Sequence, residues 1–281
     1  MSTLLLLSPI LLIVGISFNP AFATTPIEDS EKAEQHVSLP FFLPYSHAQS
    51  PNLAGDLAGI LYGGGLDNIN IEPADYWQVY LNAIRVGRPG IYLAAPHFAS
   101  WLVQQHDFKP IARFSEPLSY HLVTRQDDFW NFEVGDLAGK NVCTDHALNL
   151  DFLMLSDLFK ERRGSAIKAV TWSLETRFKE DDPRCSAFVV PDNLLNKMVR
   201  KRPGYYVQLA ATESFSHFAL LTHPDISDAV VSQLADVVAS EDAIQLISEI
   251  NSAIEANAKI EPATKADYPR SYTQALDRYW R

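Results

Sequence analysis

The stretch Ile91-Tyr92-Leu93-Ala94-Ala95-Pro96-His97-Phe98 (residues 91–98) decides the fold class of this 281-residue chain. Its first five residues are apolar, and the proline after them is typical of the first turn of a helix. We therefore predict a strand over residues 91–95 and a helix from Pro96 to Gln104. The same order of strand, loop and helix recurs before and after this stretch. That rhythm predicts an α/β protein with parallel pairs of strands.

The residues around this stretch complete a first α/β unit. Strands are predicted over residues 37–43, 68–71, 108–114 and 119–124, and helices over residues 53–62 and 74–86. The first helix stops at three glycines, residues 63–65, which do not form a dinucleotide fingerprint because that motif follows a strand. The second helix is amphipathic. Its predicted apolar face consists of Tyr76, Val79, Tyr80, Ala83 and Ile84.

A second α/β unit follows, and the chain then returns to the first. Strands are predicted over residues 141–143, 166–171, 186–190, 205–211 and 215–221, and helices over residues 147–159 and 175–180. Two apolar stripes at helical spacing follow, beginning at Ala229 and Ile244. We therefore place the first lobe at residues 37–120, the second at 121–208, and the return with the C-terminal helices at 209–281. Ligands of such proteins bind at the carboxyl ends of the strands and between the lobes.

The N-terminus resembles a secretion signal. Residues 4–16 are almost wholly apolar, and Ala21-Phe22-Ala23 fits the A-x-A cleavage pattern. The apolar run is shorter than the ~20 residues that span a bilayer. We therefore predict a cleaved signal peptide over residues 1–23, a flexible leader over 24–36 and a periplasmic location. Because Met1-Ser2-Thr3 carries no basic side chain, a retained anchor remains the alternative.

The charge balance excludes some classes of function. The chain has 23 Lys and Arg against 34 Asp and Glu, a formal net charge of −11. A nucleic-acid binder needs a cationic face, so no nucleic-acid partner is expected. Two short basic runs are typical of solvated helix faces: Lys160, Arg162 and Arg163, and Lys197, Arg200, Lys201 and Arg202.

The two cysteines, Cys143 and Cys185, suit an oxidising compartment. A bridge between them would close a loop of about 40 residues. Two separate buried thiols are the alternative, since free cysteine packs as a small apolar side chain.

Several segments carry a resemblance to a known family: residues 39–45, 75–76, 83–87, 91–98, 110–113, 136–142, 185–190 and 222–226. Together they resemble the type II periplasmic solute-binding proteins of ABC transporters, in the phosphate/phosphonate branch. The resemblance covers roughly residues 37–270. It implies a two-lobed fold with an interlobe ligand cleft and hinge strands.

The resemblance also implies a function. Family members bind a small solute between lobes that close over it, deliver it to a permease in the inner membrane, and perform no chemistry. The chain is thus expected to be a monomeric, non-enzymatic solute-binding component without a cofactor. A ligand-sensing subunit of a membrane sensor is a related alternative.

The resemblance places the ligand on a Ser/Thr-rich turn at a helix N-terminus of the second lobe. Thr144-Asp145-His146 occupies that position, and Thr144 fits as a donor. Asp145 does not suit a dianion, because two negative charges repel in a closed cleft, and it fits instead as a helix cap. A second family position, a Ser-His pair, is matched by Trp172-Ser173, where Trp172 offers an apolar wall or a core side chain.

The histidines suggest a second kind of site. His47 and His97 follow first-lobe strands, His146 holds the equivalent place in the second lobe, and His121 lies near the lobe crossing. Converging imidazoles with Asp145 would suit Zn²⁺, Cu²⁺ or iron, giving a periplasmic metal-binding protein as an alternative function. Protonated, the same histidines would hold an oxyanion. The alternative is that each histidine is separately hydrogen-bonded to backbone or water.

The remaining candidate lining residues are Tyr45, Ser46, Pro96, Tyr120 and Glu175. Tyrosine provides stacking area and a hydroxyl in such a cleft. Ser46, His97 and Asp145 contain the residue types of a hydrolase triad, but nothing in their spacing supports that role. The chain also lacks a G-x-S-x-G elbow, a P-loop and a C-x-x-C pair, so we expect no enzyme.

Overall fold

The computed structural model describes residues 38–44, 52–127, 133–144, 149–153, 155, 168–171, 182–250, 258–274 and 276–280. These residues form two sheets with helices packed around them. The α/β class that the sequence predicts is therefore confirmed. The predicted signal peptide and leader lie outside the described residues.

The first sheet has six strands in the order β11-β4-β10-β3-β1-β2. They are β1 (Leu39–Leu43), β2 (Ile69–Pro73), β3 (Ile91–Ala94), β4 (Lys109–Phe114), β10 (Ala219–Thr222) and β11 (Ile260–Pro262). The second sheet has five strands in the order β7-β6-β8-β5-β9. They are β5 (Tyr120–Arg125), β6 (Asn141–Thr144), β7 (Lys168–Thr171), β8 (Ala187–Pro191) and β9 (Tyr206–Ala211).

The helices connect and cover these strands. They are α1 (Leu53–Gly63), α2 (Trp77–Val86), α3 (Pro96–His106), α4 (Asp192–Lys201), α5 (Asp228–Val238), α6 (Glu241–Ile250) and α7 (Asp277–Trp280). Short 3-10 segments occur at Val134–Leu137, Lys265–Asp267 and Arg270–Thr273. No helix within the described ranges combines the length and apolar character needed to cross a membrane.

Strand direction fixes where the two sheets join. In the first sheet β1, β2 and β3 are parallel, and β10 runs antiparallel to both β3 and β4. In the second sheet β6, β7 and β8 are parallel, and β5 runs antiparallel to β8 and β9. The chain therefore leaves the first sheet at the carboxyl end of β4. It enters the second sheet where β6, β7 and β8 end.

The outgoing and returning connections between the sheets are paired. Leu118 and Phe215 form an antiparallel bridge, with Leu118 N donating to Phe215 O at 2.9 Å and Phe215 N donating to Leu118 O at 2.8 Å. These two connecting segments, residues 115–119 and 212–218, join the carboxyl edges of both sheets, and we call them the joint. Ligands of open α/β sheets bind at such edges.

The C-terminal segment packs against the returning connection. The Tyr268 hydroxyl, fully buried, donates to the carbonyl of His217 at 2.9 Å. The Ser100 hydroxyl of α3 donates to the carbonyl of Pro269 at 2.7 Å. Trp280 of α7 stacks on Phe98 of α3, with ring centroids 5.9 Å apart. These contacts hold α3 and the returning connection in one body.

The second sheet has an apolar cluster on each face. Leu122, Val142 and Val189 belong to one cluster. The other includes a disulfide between Cys143 and Cys185, whose Cα atoms are 5.6 Å apart. The bridge ties Cys143 of β6 to Cys185, which lies two residues before the start of β8. Both sulfurs belong to buried residues, so the bond is protected from solvent reductants.

The structure corrects some sequence-derived boundaries. Helix α4 and strand β11 were not predicted, and β10 begins at Ala219 rather than near residue 215. Tyr76 and Val79 are 76% and 57% exposed, so they do not lie on the buried face predicted for α2. The predicted helix over 175–180 lies outside the described residues, as does most of the one over 147–159.

Candidate ligand site

Asp192 links the second lobe to the outgoing connection. It is the first residue of α4, directly after β8. Its carboxylate accepts hydrogen bonds from the Ser119 hydroxyl and from His121 Nε2. Its main-chain N–H donates to the Ser119 carbonyl at 3.1 Å. The N-terminus of α4 is therefore fixed to the joint by both main-chain and side-chain contacts.

His121 is engaged at both ring nitrogens. Nε2 contacts the Asp192 carboxylate, and Nδ1 lies 2.9 Å from Gln208 Oε1 on β9. Each ring nitrogen of His121 therefore already has a side-chain partner. The side chains of His121 and Asp192 are 14% and 42% exposed. A metal ion at His121 would have to displace one of these contacts.

Tyr120 is held by the returning connection. Its main-chain N–H donates to Thr212 Oγ1 at 3.0 Å, and Thr212 N donates to the Tyr120 carbonyl at 2.9 Å. Tyr120 packs against apolar clusters of both lobes, so it lies at the junction between them.

Pro96 and His97 begin α3, which follows β3 at the carboxyl edge of the first sheet. His97 is fully buried, and its ring centroid lies 3.8 Å from that of Phe98. The structure therefore places the His97 side chain in the packed interior of the first lobe. Thr144, also fully buried, is the last residue of β6 at the carboxyl edge of the second sheet.

The other predicted site residues lie outside the described residues. They are Tyr45, Ser46, His47, Asp145, His146, Trp172, Ser173 and Glu175. Across the described ranges, no three His, Cys, Asp or Glu side chains converge as a metal site would require. Of the four candidate metal ligands, only His97 and His121 can be placed, and the metal site stays a prediction.

The structure adds residues that the sequence did not single out. Ser119, Asp192, Asn193 and Gln208 all lie around the start of β5. Pro191-Asp192 did carry a signal, because a proline followed by an acidic residue often marks a helix start. Nothing in the sequence indicated that Asp192 would contact Ser119 and His121, which are 73 and 71 residues away.

Ser119, His121 and Asp192 do not form a hydrolytic triad. In a triad the imidazole lies between the serine and the carboxylate and takes the serine proton. Here the carboxylate lies in the middle, and the Ser119 hydroxyl donates to Asp192. In this order the serine hydroxyl does not contact an imidazole that could take its proton. The arrangement suits positioning and hydrogen bonding rather than nucleophilic attack.

Comparison with known proteins identifies the fold. No protein-family model matches the sequence, and no curated protein matches it. Solved structures do match. PhnD1 from Prochlorococcus marinus in complex with methylphosphonate is 9% identical, with a TM-score of 0.60 over 87% of this chain and 98% of that one.

Two further structures give the same result. XAC2383 from Xanthomonas citri bound to ATP is 13% identical, with a TM-score of 0.59 over 86% of this chain and 98% of that one. The periplasmic aliphatic sulphonate binding protein SsuA from Escherichia coli is 12% identical, with a TM-score of 0.55 over 86% and 91%. The chain therefore has the type II periplasmic binding protein fold that the sequence resemblance predicted.

Proposed function

We propose that this protein is the periplasmic solute-binding component of an ABC-type uptake system and captures a small ligand by closure of its two lobes. The observation that carries the proposal is the joint. Two paired connections, bridged at Leu118 and Phe215, join the carboxyl edges of two α/β sheets. This is the topology in which a ligand between the lobes contacts both.

The surroundings of the joint favour a polar ligand. Ser119, Tyr120, His121 and Asp192 place hydroxyl, amide, imidazole and carboxylate groups at the carboxyl edge of the second sheet. The proposed ligand is a phosphonate-like oxyanion or a related solute, in line with the methylphosphonate of PhnD1 and the sulphonate of SsuA. Thr144 and the residues after it are the proposed anion contacts.

Ligand binding would then shift the protein from its open to its closed state. A ligand that contacts both lobes stabilises the closed state by the difference between its affinities for the closed and open states. Rotation of one lobe relative to the other about the joint is a hinge motion. The proposed partner is an inner-membrane permease that receives the closed form, and the protein itself acts as a monomer without a cofactor.

Two measurements on the mature chain test this function. Methylphosphonate, phosphate, an alkyl sulfonate and divalent metal ions are each added to the purified, metal-stripped protein. Ligand at 100 times its dissociation constant stabilises by about 2.7 kcal/mol, so the Tm should rise by roughly 5 °C or more. Small-angle scattering should show a smaller radius of gyration with the same ligand.

The outcomes are distinct. A rise in Tm with a compacted scattering profile and unchanged ligand supports capture by closure. Conversion of the ligand to product would indicate an enzyme. An unchanged profile at a concentration that saturates the Tm rise would contradict closure. Stabilisation by one metal ion alone, reversed by a chelator, would replace the proposal with metal capture.

A further inference from the structure

Asn193 has no role in the contacts described so far. Its side chain is buried, with 5% of the residue exposed, and neither its amide nitrogen nor its amide oxygen has a hydrogen-bond partner. No other residue in the described part of the chain has two such side-chain atoms. A buried amide without partners lowers stability, so its presence calls for an explanation.

The position of Asn193 points to a ligand. It is the second residue of the ten-residue helix α4, beside the joint between the lobes. The Cα–Cβ bonds of a helix tilt toward its N-terminus, and the N-terminus of α4 meets the joint through the contact between Asp192 and Ser119. The first main-chain N–H groups of a helix have no acceptors within it and also point to that end.

The neighbouring groups restrict the chemistry of such a ligand. Both carboxylate oxygens of Asp192 are engaged, one by Ser119 and one by His121. Asn193 offers one acceptor and an NH₂ donor side by side. A second carboxylate or phosphonate would leave the acceptor unpaired and would lie near the Asp192 charge. A primary carboxamide presents the complementary donor and acceptor and carries no charge.

We infer that Asn193 recognises an uncharged, carboxamide-like group of the ligand. This inference rests on the proposed function and narrows it: the solute carries a polar, uncharged amide at the end that meets α4. Asn193 is thus a specificity-determining residue, and its amide forms side-chain hydrogen bonds only when the ligand is bound.

The first test measures the cost of the unpaired amide. Asn193→Leu is compared with Asn196→Leu, because Asn196 is exposed on the same helix. The change from asparagine to leucine gives the same gain in helix propensity at both positions. The Asn193→Leu protein should melt at least about 2 °C above the Asn196→Leu protein, since it removes a buried unpaired group. A lower Tm than the control would show that the protein itself holds the amide and would overturn the inference.

The second test measures recognition with a matched pair of probes. Phosphonoacetamide and phosphonoacetate share an anionic end and differ only in the amide. The wild-type protein should bind phosphonoacetamide at least about ten times more tightly, and Asn193→Ala should abolish that preference. The alanine variant serves here because it introduces no larger side chain.

Equal binding of the two probes, or a preference that survives in Asn193→Ala, would overturn the inference whatever the Tm values. Compaction by methylphosphonate in the same experiments would leave the proposed function standing. If no probe, methylphosphonate included, changes the Tm or the scattering, both the function and the inference fail.

Discussion

Asp192 and Ser119 are joined by two hydrogen bonds in opposite directions: Asp192 N donates to the Ser119 carbonyl, and the Ser119 hydroxyl donates to the Asp192 carboxylate. Ser119 directly precedes β5, and Asp192 directly follows β8. The pair therefore closes the edge of the second sheet at the point where the chain enters it. Any movement of α4 relative to the joint must break or carry this pair.

Replacing Asp192 with alanine should weaken this edge. The carboxylate serves two donors and is partly exposed, so we expect a loss of about 1 to 2 kcal/mol in the free energy of unfolding by urea. Asp228→Ala is the matched control, because Asp228 is likewise the first residue of its helix but is almost fully exposed. Equal losses in the two variants would show that Asp192 acts only on the helix dipole.

The sequence predicts the fold better than the site. Helix α3 is predictable because Pro96 marks its first turn, and each parallel strand follows from a short apolar run. Helix α4 escaped prediction because its apolar residues are few, and its basic residues indicated only a solvated face. The apolar face of α2 was predicted in part: Tyr80, Ala83 and Ile84 are buried as expected. Tyr76 and Val79 are exposed, and Leu81 is buried in their place.

The site is harder to predict because its contacts join residues far apart in sequence. His121 was recognised as a candidate, yet its partner Gln208 lies 87 residues away on β9. Asn193 gives no sequence signal, since a buried asparagine without partners looks like any polar residue in the first turn of a helix. Only strand register brings these groups to one edge.

Loss of the disulfide should destabilise the second lobe. The chain-entropy model gives about 4 kcal/mol for a closed loop of this length, as Cys143 and Cys185 are 42 residues apart. Urea unfolding of the double variant Cys143→Ala/Cys185→Ala should therefore begin at lower urea than that of the wild type. The double variant should also be indifferent to dithiothreitol. Sensitivity of the wild type to dithiothreitol without unfolding would contradict the buried position of the bond.

Stability should fall above pH 10. Burial raises the pKa of Tyr92 and of Tyr268 above the ordinary value of 10.0. In the unfolded chain both hydroxyls ionise near 10, whereas in the folded protein they stay protonated, so rising pH favours unfolding. Each tyrosine contributes up to about 1.4 kcal/mol of loss per pH unit in this range.

Urea titrations at pH 8, 9, 10 and 11 measure this effect. Tyr92→Phe and Tyr268→Phe should each remove about half of the loss between pH 10 and 11, and neither should change the slope between pH 8 and 9. Full alkaline sensitivity in the double phenylalanine variant would assign the loss to other groups.

Trp280, in the C-terminal helix α7, should stabilise the packing around α3. Its ring stacks on Phe98 and meets Trp101 edge to face, with centroids 4.8 Å apart in the second pair. Replacing it with alanine removes both contacts to α3, and we expect a loss of about 2 to 3 kcal/mol because the ring is only partly buried. Tyr279→Ala is the control, since Tyr279 is 47% exposed and should cost less. Because α3 begins at Pro96 and His97, the Trp280 variant should also bind less tightly any ligand that contacts this end of α3.

Unchanged unfolding in Trp280→Ala would mean that α7 is not docked on α3 in solution.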